Sequence, residues 1–375
     1  MRKVNSKINV VCGYAFVGKL LIDYLSKENG ARIVICDNSK AKQGNIDGRY
    51  ILSVEDAVKQ NPDAIYWIGT IYHVESIRKQ LRALDIAQDQ IITELPDEVI
   101  NQIKERYKDK KFTPRKDFKF EIDLTDHCNL NCKGCDVFSS VAEEYCLDLD
   151  ELEKDLKRVA ALFDNGNDIK TLYLLGGEPL LHPDINRAMK IARQYFPKAF
   201  IAIITNGLLL KNEPESFWNT CKAHNIAITP TWYPINVDYD ELGKIAEKHG
   251  VEYHLFGVSA AGGRTLAHYP LDLSGSQDPL RSYLACWEGN ECIVLRNHRF
   301  WTCSIAPHFP IFNKHFDKHI PLNEDDGIDI YKAKDQQEIR EFLAQPREFC
   351  KYCNSAGRTQ DHPWERTEGK IEEWV

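Results

Sequence analysis

Two stretches of this chain alternate short apolar runs with amphipathic ones, and that alternation constrains the fold more than any other feature. In residues 8–95 the runs INVVCGYAF, ARIVICDN, DAIYWIGT and DQIITEL read as strands. Helical patterns from Gly18 to about Lys27, from about Val54 and from about His73 separate them. Continuous apolar runs rich in Val and Ile suit strands buried on both faces, which is what parallel βαβ units produce. The rhythm resumes in residues 117–285, where KFEIDL, KTLYLLG, AFIAIIT, AITPTWY and EYHLFGV read as strands. Helices are expected there near 149–163, 184–195, 214–224 and 239–249. Repeated βα units of this kind form an open or closed barrel with its chemistry on the loops at the strand C-termini. The segment EVINQIKERYKDKKFTPRKD between the two stretches reads as a connecting helix and linker. From residue 286 the periodicity lapses, and the chain ends in a polar, aromatic tail. The expected class is α/β, with boundaries at 1–98, 99–116 (linker), 117–285 and 286–375.

The 375 residues and net charge of −8 suit a globular chain of more than one domain, and argue against a general nucleic-acid or anionic-membrane surface. No apolar run reaches the roughly 20 residues a spanning helix needs, and MRKVNSKINVVCG lacks the pattern of a signal peptide. A cytoplasmic, reduced environment is therefore expected, with no membrane and no nucleic-acid partner. The twelve cysteines then call for an explanation other than disulfides. Cys12, Cys36, Cys146 and Cys221 stand alone and read as ordinary thiols. The others fall in two groups.

The first group is Cys128-Asn-Leu-Asn-Cys132-Lys-Gly-Cys135, directly after the strand KFEIDL. Soft thiolates converging from one loop select zinc, copper(I) or an iron–sulfur cluster. Three ligands leave one iron of a four-iron cluster open to a substrate or cofactor. A structural zinc site would need a fourth ligand, and His127 and Asp136 are poorly spaced for a tetrahedron. Gly176-Gly177-Glu178-Pro179 follows the second strand and Thr205-Asn206-Gly207 ends the third.

These segments together resemble the radical S-adenosylmethionine (SAM) superfamily, whose signature is C-x3-C-x2-C after the first barrel strand. The resemblance implies a partial (β/α)6 barrel. It also implies a [4Fe–4S] cluster on Cys128, Cys132 and Cys135, and SAM chelated to the open iron. Gly176, Gly177, Glu178 and Pro179 would hold the methionyl ammonium, and Thr205 and Asn206 would line a third SAM loop. A 5′-deoxyadenosyl radical would then abstract hydrogen from a substrate. Gly134 stands where many members carry an aromatic residue.

The second group is Cys286, Cys292, Cys303, Cys350 and Cys353. It resembles the twitch domain, the shorter relative of the SPASM domain, which holds an auxiliary [4Fe–4S] cluster. The expected ligands are Cys286, Cys303, Cys350 and Cys353, with Cys292 a spare or an alternative to Cys286. A structural zinc site is the competing reading. Asn297-His298 must supply a hairpin turn where the twitch pattern has a glycine.

At the N-terminus, Gly13-Tyr-Ala-Phe-Val-Gly18 follows a strand and opens a helix, and Asp37 ends the next strand, as in a dinucleotide-binding turn. Ala15 replaces the second glycine, against close approach of a pyrophosphate. QGNIDGRYILSVEDA resembles the N-terminal Rossmann-like domains of bacterial sugar-modifying enzymes. This region is thus either a nucleotide or nucleotide-sugar site or a scaffold whose site is lost.

The expectation is a radical SAM oxidoreductase or isomerase acting on a hydroxylated small molecule, a sugar or nucleotide-sugar, by dehydrogenation, epimerisation or dehydration. The alternatives are a peptide or protein modifier and a non-enzymatic iron–sulfur or zinc protein. A flavodoxin- or ferredoxin-like protein is the expected electron donor. Tyr233, His254, Arg264 and His268 are candidate acid–base groups, and Cys292 or Cys146 a candidate thiol donor of hydrogen. None of them is assigned a role.

Overall fold

The computed structural model describes residues 8–28, 30–70, 74–107, 117–257, 265–268, 270–286, 288–289 and 291–375. The chain divides into two compact units, one of residues 1–111, 280–286 and 354–359, the other of residues 112–279, 287–353 and 360–375.

In the first unit the apolar runs become β1 (Ile8–Cys12), β2 (Arg32–Cys36), β3 (Gly44–Ile46), β4 (Arg49–Leu52), β5 (Ile65–Ile68) and β6 (Ile91–Ile92). The helices are α1 (Phe16–Leu25), α2 (Val54–Gln60), α3 (Val74–Ala83) and α4 (Asp97–Tyr107). The sheet order is β3-β4-β2-β1-β5-β6, parallel except for the β3–β4 hairpin. Gly13 and Gly18 pack against each other: a Cβ on Gly18 would lie 1.8 Å from the Gly13 carbonyl. Ser53 caps α2 by accepting from the Asp56 amide, which satisfies one of the orphan donors of a helix start.

The second unit is built on β7 (Phe118–Thr125), α5 (Leu149–Leu162), β8 (Ile169–Gly176), α6 (Ile185–Tyr195), β9 (Phe200–Thr205), α7 (Glu215–Ala223), β10 (Ile226–Pro230) and α8 (Tyr239–His249). Asp148, Asp184 and Asp238 cap α5, α6 and α8, and Gly250 ends α8 in the left-handed region at φ 67°. Along the chain then come β11 (Thr265–His268), α9 (Pro279–Ala285), which belongs to the first unit, β12 (Val294–Arg296), β13 (Arg299–Trp301), α10 (Ile305–Phe316), β14 (Gly327–Asp329), α11 (Gln336–Leu343) and β15 (Thr359–Pro363). The sheet runs β10-β9-β8-β7-β12-β13-β14. Its first five strands are parallel, and β13 and β14 are antiparallel additions.

The expected α/β architecture is therefore present, as an open sheet among the described residues. EYHLFGV lies beside β10 through the isolated parallel bridges Ile228–Tyr253 and Thr231–Phe256. No helix among the described residues is long and apolar enough to cross a membrane.

Strand β7 shows how this sheet positions a site. Phe118, Phe120, Ile122 and Leu124 alternate onto one face and are buried in the core with Phe163, Phe196 and Phe300. Phe118 and Phe163 pack tilted at 41° with centroids 4.4 Å apart, and Phe120 meets Phe300 edge-on at 5.3 Å. Period-two alternation sends Glu121, Asp123 and Thr125 to the other face. That polar face points along the strand toward the cysteine loop.

Candidate functional site

Where β7 ends, its backbone meets the end of β8. The Gly177 amide donates to the Thr125 carbonyl at 2.8 Å, and the Glu178 amide to the His127 carbonyl at 3.1 Å. A Cβ on Gly176 (φ +145°) would stand 2.4 Å from the Thr125 oxygen, and one on Gly177 2.1 Å from the His127 oxygen. The close approach that the two glycines permit is thus to the root of the cysteine loop. Asp126 is clamped by Arg296 of β12 through two bonds of 2.7 and 2.8 Å, a bidentate geometry that fixes direction as well as distance.

Glu178 is buried, and its carboxylate accepts from the Thr205 hydroxyl (2.7 Å), the Asn206 amide (2.9 Å) and the Leu180 amide (3.1 Å). Burial pushes this carboxyl up to about 7 against those hydrogen bonds. The side chain therefore braces the β8 and β9 loop ends against each other, and its oxygens are engaged there. Asn206 continues the brace: its Nδ2 donates to Asn129 Oδ1 at 2.8 Å and approaches Cys128 Sγ at 3.8 Å, and its Oδ1 accepts from the Leu208 amide. Pro179 is buried at the start of a short 3₁₀ turn.

These loops surround a cavity of about 250 Å³. Cys128, Cys132 and Cys135 line it together with Gly176, Gly177, Thr205 and Asn206. The structure thus brings all but Glu178 and Pro179 of the first set of sequence-predicted residues to one space. Burial pushes the Cys128 thiol up to about 11 and the Cys135 thiol higher still, so binding a metal there releases protons. Among the described residues no three His, Cys, Asp or Glu side chains close around a single ion position.

The rest of the wall mixes apolar and hydroxyl-bearing side chains with three carboxylates, which sequence patterning did not single out as a group. Glu121, Asp136 and Glu288 line the cavity, beside Cys292 and Ser304. The Ser304 hydroxyl donates to Glu288 at 2.8 Å. Burial, with the Asp136 charge, pushes Glu288 well up. Burial pushes Glu121 up to about 8, with Asp123 and Asp136 adding to it. Burial alone would raise Asp123 also, but the His308 imidazole 3.0 Å away outweighs it and holds that carboxyl down. The alternation along β7 was the one signal that could have revealed Glu121.

A folded-state pKa above the unfolded value near 4.3 means that Glu121 loses stability for the fold as pH rises toward about 8. Glu121→Gln, which is uncharged throughout, should therefore match the natural protein near pH 4. It should gain on the order of a few kcal/mol over it by pH 8. Urea unfolding across that range measures the difference, and a pH-independent difference would refute the assignment.

The second cysteine group is distributed differently. Cys286 follows α9 in the first unit, whereas Cys292, Cys303, Cys350 and Cys353 belong to the second. Cys303 and Cys353 share an apolar cluster with Trp301, Phe309 and Phe349, and Cys350 and Cys353 flank one short turn. Asn297 and His298 make the β12–β13 turn at φ 51° and 60°, the paired positive values of a tight two-residue hairpin. Of the candidate acid–base groups, Tyr233 lines the cavity and His254 pairs with Glu252 at 2.8 Å. Arg264 and the side chain of His268 lie outside the described residues. In the first unit, Asp37 accepts from the Tyr14 amide at 2.7 Å and the Ser39 amide at 2.8 Å.

Residues 122–239 match the Radical SAM superfamily. Over 144 residues the chain is 31% identical to the GTP 3′,8-cyclase of Aliarcobacter butzleri (strain RM4018), covering 37% of this chain and 41% of that protein. Over 97 residues it is 35% identical to the GTP 3′,8-cyclase of Sulfurimonas denitrificans (strain ATCC 33889 / DSM 1251), covering 25% and 29%. The chain thus spans well under half the length of these relatives. Among solved structures, BtrN in complex with AdoMet and 2-DOIA is similar at 19% identity and a TM-score of 0.40, over 64% of this chain and 94% of that one.

Proposed function

The chain carries a radical SAM domain in residues 122–239, and from that premise we propose that it performs radical chemistry on a hydroxylated small molecule, a sugar or sugar-like ring. The observation that carries this reading is one cavity of about 250 Å³ shared by the cysteine triad and an acidic, hydroxyl-bearing wall. Cys128, Cys132 and Cys135 would hold a [4Fe–4S] cluster, which with SAM bound and one electron from a flavodoxin- or ferredoxin-like donor supplies a hydrogen-abstracting 5′-deoxyadenosyl radical. Three thiols on one loop are the donor set such a cluster takes.

The chain's own residues do the rest. Glu178 keeps the Thr205–Asn206 turn at a fixed distance from the Gly176–Gly177 turn, so the backbone edges facing the cavity are preset. Glu121 and Glu288, held toward their neutral forms, can both donate to and accept from substrate hydroxyls. No Lys or Arg is found among the described lining residues, so this end of the cavity suits neutral or cationic groups better than phosphates.

Cys292 faces the same cavity. Burial keeps it a thiol, the form that donates a hydrogen atom, and this favours an epimerisation over an oxidation. For a second cluster, the supporting observation is that Cys303 and Cys353 share one apolar cluster. The first unit reads better as a scaffold than as a nucleotide site, because the Asp37 carboxylate already accepts two backbone amides.

The test is anaerobic reconstitution with iron and sulfide, then reduction in the presence of SAM. Formation of 5′-deoxyadenosine is expected, with about eight irons per chain if two four-iron clusters form and about four if only the triad is loaded. A fully reduced, iron-loaded protein that leaves SAM intact would sink the proposal. Run in D2O on candidate sugars, the reaction should place solvent deuterium at the reacting carbon of the product. An oxidised product free of deuterium would remove the thiol reading.

A further inference from the structure

The cysteine loop is gripped by the far end of the chain. The Thr367 amide donates to the Asn131 carbonyl and the Lys133 amide to the Glu365 carbonyl, each at 2.9 Å. Between these bonds Cys132 faces Arg366 in an antiparallel bridge. The Lys133 ammonium meets the Glu365 carboxylate at 2.7 Å. Trp374 is buried against Phe138, Phe312 and Phe316. From there its indole N–H donates to the Cys135 carbonyl at 2.8 Å. Trp364 goes further and donates its indole N–H to the Cys132 sulfur at 3.1 Å. Its ring also meets that of Tyr233, a cavity-lining residue, with centroids 6.1 Å apart.

We propose that Trp364 is a positioning residue for the cluster on Cys128, Cys132 and Cys135, and that its N–H···S bond raises the reduction potential of that cluster. The inference rests on the triad holding a cluster, as argued above. A protonated thiol is a weak acceptor, but a metal-bound thiolate carries negative charge and accepts strongly. Reduction adds negative charge to the cluster and its sulfurs, so an N–H dipole aimed at one of them stabilises the reduced state more than the oxidised one. The N–H groups near Cys128 are farther from their sulfur, at 3.4 Å from Leu130 and 3.8 Å from Asn206. The tail brings this donor from 232 residues away, on a segment locked to the loop by backbone bonds at both sides of Cys132. Its geometry is therefore held by more than the indole itself.

The full chain and its Trp364→Phe variant would be reconstituted anaerobically. Iron and sulfide content would be measured, and the cluster titrated by electron paramagnetic resonance, taking the signal that changes when SAM is added. The expected result is unchanged iron content with a midpoint potential shifted downward in Trp364→Phe. A second variant, Trp374→Phe, removes the N–H to the Cys135 carbonyl and leaves the sulfur bond. It should lower retention of iron on warming while leaving the midpoint in place. Equal midpoints for Trp364→Phe and the natural protein would overturn the proposal, as would equal shifts in both variants. A natural protein that takes up no SAM-responsive cluster would instead refute the functional reading on which this one rests.

Discussion

Gly177→Ala is expected to leave the sheet of the second unit formed and the cysteine loop unseated. The new methyl carbon would lie 2.1 Å from the His127 carbonyl oxygen and 2.7 Å from that of Asp126. Both are backbone atoms that cannot rotate away, so the β7 and β8 ends must part. That breaks the bonds from the Gly177 and Glu178 amides and moves the loop carrying Cys128. Overpacking of this kind costs about 1–3 kcal/mol, and two lost buried hydrogen bonds add about 1 kcal/mol each. Thermal unfolding should therefore shift down by several degrees. Reconstituted iron should fall much further than stability does, because ligands displaced by an ångström no longer fit one cluster. A variant that unfolds like the natural protein and loads the same iron would show that the close approach at Gly177 does not seat the cysteine loop.

Cys132→Ala is expected to have the opposite profile. Cys132 is only partly buried, and its removal leaves the loop's backbone bonds to the C-terminal tail in place, so the fold should lose less than about 1.5 kcal/mol. Two thiolates do not hold a four-iron cube in place of three, so iron should drop by about four atoms per chain relative to the natural protein. Cleavage of SAM to 5′-deoxyadenosine should fall below detection. Substantial 5′-deoxyadenosine from this variant would mean that the triad is not the radical-generating centre. Comparing the two variants separates a ligand from the seat that the ligand stands on.

The parts of this site that could be read in the sequence are those whose chemistry is concentrated in a few neighbouring residues. Cys128, Cys132 and Cys135 announce themselves because ligands on one loop must be close in sequence. Gly176-Gly177 and Thr205-Asn206 do so because strand ends in a βα repeat occur at predictable places. The Asn297-His298 turn was legible for the same local reason. What remained hidden depends on distance along the chain. Glu178 was expected at the methionyl ammonium, but its oxygens are engaged by Thr205 and Asn206, a partnership that spacing alone does not reveal. Glu121, Glu288 and Cys292 face one cavity only because β7 and the segment before β12 lie side by side. The C-terminal tail read as merely polar and aromatic, yet Trp364 and Trp374 both donate to the cysteine loop.

The brace formed by Glu178 has a bearing on how such a protein diversifies. Its carboxylate, the Thr205 hydroxyl and the Asn206 amide form a buried unit, whereas the wall's carboxylates come from Glu121, from Asp136 beside Cys135 and from the loop bearing Glu288 and Cys292. Changes in the wall need not propagate into the brace, since different strand ends carry the two. On the proposed function, a descendant could therefore exchange Glu121 or Glu288 for other groups and accept a different molecule while keeping the seat of the cysteine loop. On that reading, the residues that would meet substrate and those that brace the loop ends form separable sets.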